Sequence, residues 1–214
     1  MTFHTLTYNM CNITVVIYEF GDDRMPPKAE ITKEKVLDAS FEIAREQGLE
    51  VLTARSIATK LKCSTQPIYS AYGSMEELKD DVYSRAIDFA ITSMRQYEDD
   101  KNSPAMKLVL GCLLFAQNEK QLFRTIYLSD YRKYYLTRYE DRINEEIYTA
   151  FLQLDDRLSL ISESKVKTMF LKLMAYWLGI STMINTNMLS LEIEEATEMV
   201  EEMYQALSIR EGLE

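Results

Sequence analysis

Residues 51–75 read VLTARSIATKLKCSTQPIYSAYGSM and contain no Asp or Glu. In a chain with 34 acidic and 24 basic residues, a run of this length would ordinarily include several carboxylates. It holds instead Arg55, Lys60 and Lys62, interleaved hydroxyls (Thr53, Ser56, Thr59, Ser64, Thr65, Ser70) and the tyrosines Tyr69 and Tyr72. This chemistry suits a phosphate surface, which repels carboxylates and rewards cations, hydroxyls and backbone N–H groups. Charge alone serves a weakly charged surface segment equally well, so the helix signals must decide.

Those signals read helix, tight turn, helix. Thr53 is an N-cap, with Ile57, Ala58 and Leu61 on one face. Lys62-Cys63 is a short break, and Ser64 is a second N-cap. Pro67 sits in the first turn, where its missing N–H has no helical partner to lose. Ile68 and Tyr72 then point inward, leaving Thr65, Gln66, Tyr69 and Ser70 outside. Two short helices joined this way form a helix-turn-helix, whose second helix enters a major groove by its N-terminal residues.

On the N-terminal side of this unit, Thr32 caps a first helix that ends at Gly48, read as a left-handed C-cap. Its buried stripe is Val36, Leu37, Ser40, Phe41, Ile43 and Ala44. On the other side, Ser74-Met75-Glu76-Glu77 reads as a capping box opening a long helix to about Tyr97, with Leu78, Val82, Ala86, Phe89 and Met94 inward. Residues 31–78 resemble the N-terminal domain of the TetR family of bacterial transcriptional regulators. The resemblance is carried by Ile43-Ala44-x-x-x-Gly48, Leu52-Thr53-x-Arg55-x-Ile57-Ala58, Ser64-Thr65-x-Pro67-Ile68-Tyr69-x-x-Tyr72 and Ser74-x-Glu76-Glu77-Leu78. There are two departures. Lys62 stands where the family usually has Gly in the turn. Met75 replaces the usual basic residue after Ser74, and Lys79, one helical turn on, is the candidate to replace that phosphate contact.

The rest of the chain reads as helices. Six Gly and four Pro in 214 residues favour long helices over many short strands. Ser103-Pro104 starts an almost wholly apolar helix to about Asn118, placed at the centre of a second domain. A short helix spans about Lys120 to Leu128. Asp130 is expected to cap a long tyrosine-rich helix to about Leu154. After a loop from Asp155 to Ser162, the last two helices run from about Ser164 to Asn187 and from Ser190 to Ile209. The expected fold is therefore all-α, with about nine helices: a three-helix helix-turn-helix domain at residues 25–78, then a helical domain at 79–214, which the resemblance implies is a ligand-binding and dimerisation domain. Residues 1–24 do not resemble the helical remainder of the chain. They are read as an over-extended start upstream of Met25, or as a β-arm that pairs with a partner.

Catalysis is poorly served. The only His is His4, which leaves no Ser/His or Cys/His pair for the main chain. No Cys/His/carboxylate set has zinc spacing and no Gly-rich loop cradles phosphate, so no enzyme, metal or cofactor is expected. No apolar run approaches the length of a membrane span. Three distant cysteines (Cys11, Cys63, Cys112) read as reduced thiols in a cytoplasmic protein. The net charge of −10 confines any nucleic-acid contact to a patch.

The resemblance implies a homodimer on double-stranded DNA at a palindromic operator, with an unknown small-molecule effector. It implies repression relieved by that molecule. The alternatives are a ligand- or partner-dependent activator of the same fold, or a helical dimeric binding protein that has lost DNA recognition. The expected DNA-binding residues are Thr53, Arg55, Lys62, Ser64, Thr65, Gln66, Pro67, Tyr69, Ser70, Tyr72 and Lys79, with Thr65 and Gln66 at base edges. Lys28, Lys33 and Lys35 are candidates to reach the DNA backbone ahead of helix 1. The dimer face falls to the last two helices, with Glu192, Glu194, Glu195, Glu198, Glu201 and Glu202 on the outside. Twelve Met and fourteen Tyr suit an adaptable pocket. Phe115, Tyr127, Tyr131, Met169, Met174 and Trp177 are its candidate lining, each weighed against plain core packing.

Overall fold

The structure is a computed structural model. It describes residues 31–98, 100–188 and 191–213, without the side chain of Pro104. The chain divides into two units, residues 1–31 and residues 32–214, and every described element lies in the second. The expectations for His4, Cys11, Lys28, the start at Met25 and the helix start at Ser190 lie outside the described residues.

All the described elements are helical. They are α1 (Lys33–Gln47), α2 (Ala54–Leu61), α3 (Gln66–Ala71), α4 (Met75–Arg95), α5 (Pro104–Asn118), α6 (Lys120–Phe123), α7 (Asp130–Leu136), α8 (Arg142–Leu152), α9 (Glu163–Asn185) and α10 (Ile193–Glu211). Short 3-10 turns cover Leu49–Val51 and Asp156–Leu160, and a wide π turn covers Arg124–Leu128. Hydroxyl caps start several helices as expected. The Thr32 hydroxyl accepts from the Lys35 N–H at 3.3 Å, Ser74 from Glu77 at 3.1 Å and Ser103 from Met106 at 3.3 Å.

Four local expectations are corrected. Gly48 does end α1 with positive φ, but at ψ 160° it is extended, and it feeds straight into the 3-10 turn rather than closing a left-handed cap. Glu77 bonds the Gly73 N–H at 3.0 Å, one residue earlier than a capping box at Ser74 requires. The long helix from 130 to 154 is two helices. Asp141 caps α8, and Arg138, in the break, pairs with Asp80 of α4 at 2.9 Å. That tertiary pull has no local sequence signature, and it leaves ten helices among the described residues where about nine were expected. Finally, α10 starts at Ile193 with Glu192 and Glu195 forming its capping box.

α1 packs on α2, α3 and α4, so the head is a small bundle around Val36, Ile57, Ile68, Tyr72, Leu78 and Val82, all buried. α5 lies at the centre of the body, against α4, α8, α9 and α10. A second core gathers Phe151, Leu158, Val166, Met169, Leu207 and Leu213 where α8, α9 and α10 meet. Three polar ties brace the region where head meets body. Arg45 of α1 donates to Glu119 at 2.8 Å, at the corner between α5 and α6. Buried Asn185 at the end of α9 holds that corner from the body side, donating to the carbonyls of Ala116 (2.9 Å) and Lys120 (3.1 Å). Asp80 of α4, 7% exposed, accepts from Tyr131 at 2.6 Å and from Arg138. No helix among the described residues is long and apolar enough to cross a membrane.

Candidate nucleic-acid interface

The α2–turn–α3 unit is held by its own short-range chemistry. The Thr53 hydroxyl accepts from the Ser56 N–H at 3.1 Å, and the Thr53 N–H donates back to the Ser56 hydroxyl at 3.0 Å. Lys62 closes α2 in the left-handed region, φ 52° and ψ 44°, and its N–H bonds the carbonyl of Thr59. This is the position where Gly is expected, and a lysine holds the conformation there at some steric cost. The second helix starts later than Ser64 suggests. Thr65 precedes its first residue, Gln66, and makes no side-chain cap bond. The Thr65 carbonyl instead accepts from Ile68 (3.2 Å) and Tyr69 (3.3 Å). Ser64 therefore stands outside the helix with its hydroxyl uncommitted to capping.

Ile68 fixes α3 to the head and is 1% exposed. With it anchored, Gln66, Tyr69 and Ser70 face outward, and Tyr69 keeps 54% of its surface despite its aromatic ring. Thr53, Arg55, Lys62 and Ser64 are also exposed, while Thr65, Pro67 and Lys79 are half-buried. Tyr72 is different. It is 1% exposed, with the Lys33 ammonium 4.4 Å from its ring centre. Desolvation holds its phenol well above the usual range. Tyr72 is therefore a core residue, corrected from the DNA-contacting set. Its inward periodicity with Ile68 already pointed that way.

The cations divide into two groups. Lys60 pairs with Glu42 at 2.8 Å, and Lys33 pairs with Glu77 (3.4 Å) and Asp81 (3.5 Å). Arg55 and Lys62 make no ion pair with any described residue. The unit thus presents two uncommitted cations, hydroxyls, an amide and an exposed tyrosine on one short helix-turn-helix. Sequence reasoning missed the Ser56 half of the capping pair, which the Thr-x-x-Ser spacing could have suggested. It also missed Asp80, whose partners lie more than 50 residues away.

In the body, a cavity of about 60 Å³ lies between α5, α8, α9 and α10. Met174 and Trp177 line it. The other four candidates stand elsewhere. Phe115 and Met169 are buried in the core, Tyr127 packs tilted against Phe123 and edge-on against Trp177, and Tyr131 turns its hydroxyl to Asp80. Helical spacing identified them as inward-facing, but not which neighbouring helix each would meet. Among the described residues, no group of three or more His, Cys, Asp or Glu could hold a metal ion.

No family model and no curated protein matches the chain. Solved structures do. A TetR-like regulator from a Rhodococcus species superposes with a TM-score of 0.58 at 16% identity, covering 85% of this chain and 97% of that one. A TetR-family regulator from Streptomyces coelicolor gives 0.63 at 12%, covering 83% and 82%. A TetR regulator from Haloarcula marismortui gives 0.61 at 17%, covering 81% and 96%. Likeness at such low identity speaks to the backbone arrangement, and it agrees with the helix-turn-helix read from residues 53–72: the chain has the TetR-like fold.

Proposed function

We propose that the chain is a sequence-specific DNA-binding transcriptional regulator, a cytoplasmic homodimer whose operator is palindromic. Residues 25–78 serve as the DNA-binding domain and residues 79–214 as the effector and dimerisation body. One observation carries this reading. In a chain of net charge −10, the exposed face of the α2–turn–α3 unit is free of carboxylates and holds Arg55, Lys62, Gln66, Tyr69 and Ser70. Gln66 and Thr65, at the start of α3, would meet base edges, and Gln suits adenine. Arg55, Lys62, Thr53, Ser64, Pro67, Tyr69, Ser70 and Lys79 would seat the unit on the phosphates.

Support for the dimer comes from α9. Leu171, Ala175, Gly179 and Met183 are exposed one turn apart, and Leu171 keeps 69% of its surface. A continuous apolar stripe of that kind calls for a partner. Two-fold pairing there would set two α3 helices about one DNA turn apart. Repression relieved by a small molecule results if the effector favours a body conformation that moves α4. The effector can shift that balance only by its differential affinity for the two states.

The reading in which DNA recognition has been lost is weakened by Lys62, which keeps the turn closed without Gly. The test is substitution. Gln66→Ala should cost roughly 1–3 kcal/mol at the specific site and relax base preference there. Arg55→Ala should weaken all sequences alike. A Gln66→Ala protein that binds as tightly and selectively as wild type contradicts the base-reading assignment.

A further inference from the structure

α3 is six residues long, and Ile68 is the one of them that is buried. A helix of so few turns, resting on one side chain, can pivot about it. Its tilt must therefore be set at its ends. At the C-terminal end stands Tyr72, buried, whose N–H bonds the Ile68 carbonyl at 2.9 Å. Gly73 follows, and its N–H donates to Glu77 at 3.0 Å. What holds these two residues matters for the DNA-reading role proposed above, on which the following rests.

One ammonium group reaches both. Lys33, the first residue of α1, places its Nζ 4.4 Å from the centre of the Tyr72 ring. The same atom lies 3.4 Å from Glu77 Oε1 and 3.5 Å from Asp81 Oδ2. Glu77 gives its other oxygen, Oε2, to the Gly73 N–H. The start of α1, the end of α3 and the first turns of α4 thus meet at a single charge. Gln66 and Tyr72 lie six residues apart, roughly 9 Å along a helix axis at 1.5 Å per residue. Ile68 stands between them, so a tilt released at Tyr72 displaces Gln66 in the opposite sense. Base contacts tolerate little of this, since a binding constellation must be held within about 0.5 Å.

Two plainer roles for Lys33 fit less well. The side chains of Lys33, Glu77 and Asp81 are each about half exposed, so their pairing adds little to stability. A phosphate ligand would have to give up two carboxylates and an aromatic face. We propose that Lys33 is a positioning residue for base reading. Its ammonium clamps Tyr72 to Glu77, fixes the tilt of α3 and so places Gln66, and it does not itself bind phosphate.

Lys33→Met removes the charge, keeps most of the stem and leaves the core untouched. The full-length protein is titrated at two salt concentrations against the DNA flanking its own gene and against a shuffled duplex of the same composition. Affinity for the native duplex should fall about tenfold, while affinity for the shuffled duplex falls less than about threefold and the salt slope is unchanged. Lys33→Arg, which can meet the same ring and carboxylates, should restore the discrimination. Glu77→Met gives a test of opposite sign. It takes a negative charge away from the interface, so charge alone predicts tighter binding to both duplexes. Loss of the clamp predicts weaker discrimination between them.

Hydrogen exchange of the free protein reads the clamp without DNA. Residues 66–73 should exchange several-fold faster in Lys33→Met, with a urea midpoint close to that of wild type. The proposal is overturned if both duplexes weaken alike and the salt slope drops by about one, which makes Lys33 a phosphate ligand. It is also overturned if discrimination and exchange both match wild type. Where the wild-type protein does not distinguish the two duplexes, the DNA-reading role fails instead. Faster exchange in Lys33→Met then still upholds the clamp, and unchanged exchange overturns it.

Discussion

Gly111 of α5 lies so close to Met94 of α4 that a Cβ on it would stand 2.0 Å from the Met94 carbonyl oxygen. Backbone touches backbone at the crossing of the body's central helix with the helix that carries the head. A glycine inside a helix normally costs about 1 kcal/mol relative to alanine. Here the crossing cannot accept the methyl group.

Gly111→Ala should therefore destabilise the protein despite alanine's better helix propensity, by about 1–3 kcal/mol for overpacking. Urea unfolding followed by circular dichroism measures it. Because α4 must shift to make room, DNA affinity should change as well. A Gly111→Ala protein as stable as wild type would show that this crossing is not tight in solution.

Lys62 separates a folding role from a binding role. Its left-handed backbone costs roughly 1 kcal/mol for a residue with a Cβ, partly offset by the greater chain entropy of glycine when unfolded. Lys62→Gly should thus leave stability within about 1 kcal/mol of wild type. It should lower the slope of log affinity against log salt by about one phosphate contact. An unchanged slope would remove Lys62 from the interface.

Tyr83 predicts an alkaline limit. Its hydroxyl donates to the Ile126 carbonyl at 3.1 Å, and burial raises its phenol from 10.0 to about 12. The folded state then holds the proton more tightly than the unfolded state. The resulting stability is fully present below pH 10 and is lost as the pH rises from there towards 12, up to roughly 2–3 kcal/mol. In Tyr83→Phe the Ile126 carbonyl keeps Arg132 as a donor at 3.2 Å, so the cost at neutral pH should be small. Urea midpoints from pH 8 to 11 should fall less steeply for the variant. Equal slopes would mean that Tyr83 does not govern the limit.

The α9 stripe tests assembly. Leu171→Arg combined with Met183→Arg places charge on the exposed apolar face without touching the core. Light scattering behind a sizing column should show dimer giving way to monomer, with operator affinity falling as the two heads are uncoupled. A double variant that remains dimeric places the interface elsewhere.

The helices were legible wherever their signals were local. Thr32, Thr53, Ser74 and Ser103 each stand one residue before a helix and mark its start. Ile57, Ala58 and Ile68 are buried at the spacing the sequence shows. What stayed hidden depends on distant partners. The break between α7 and α8 has no Gly or Pro, and it forms where Arg138 meets Asp80, 58 residues away. The start of α3 moved because the Thr65 backbone, not the Ser64 hydroxyl, receives the first bonds. Four of the six pocket candidates missed the cavity for the same reason: periodicity gives an inward face but not the helix it meets.

The central claim is that this helix-turn-helix reads DNA. The most direct measurement is a gel-shift titration of the purified full chain against the DNA flanking its own gene, at two salt concentrations and with competitor DNA. The account predicts saturable binding that weakens with salt and survives competitor. Binding that competitor abolishes, or no binding even at low salt, would contradict it.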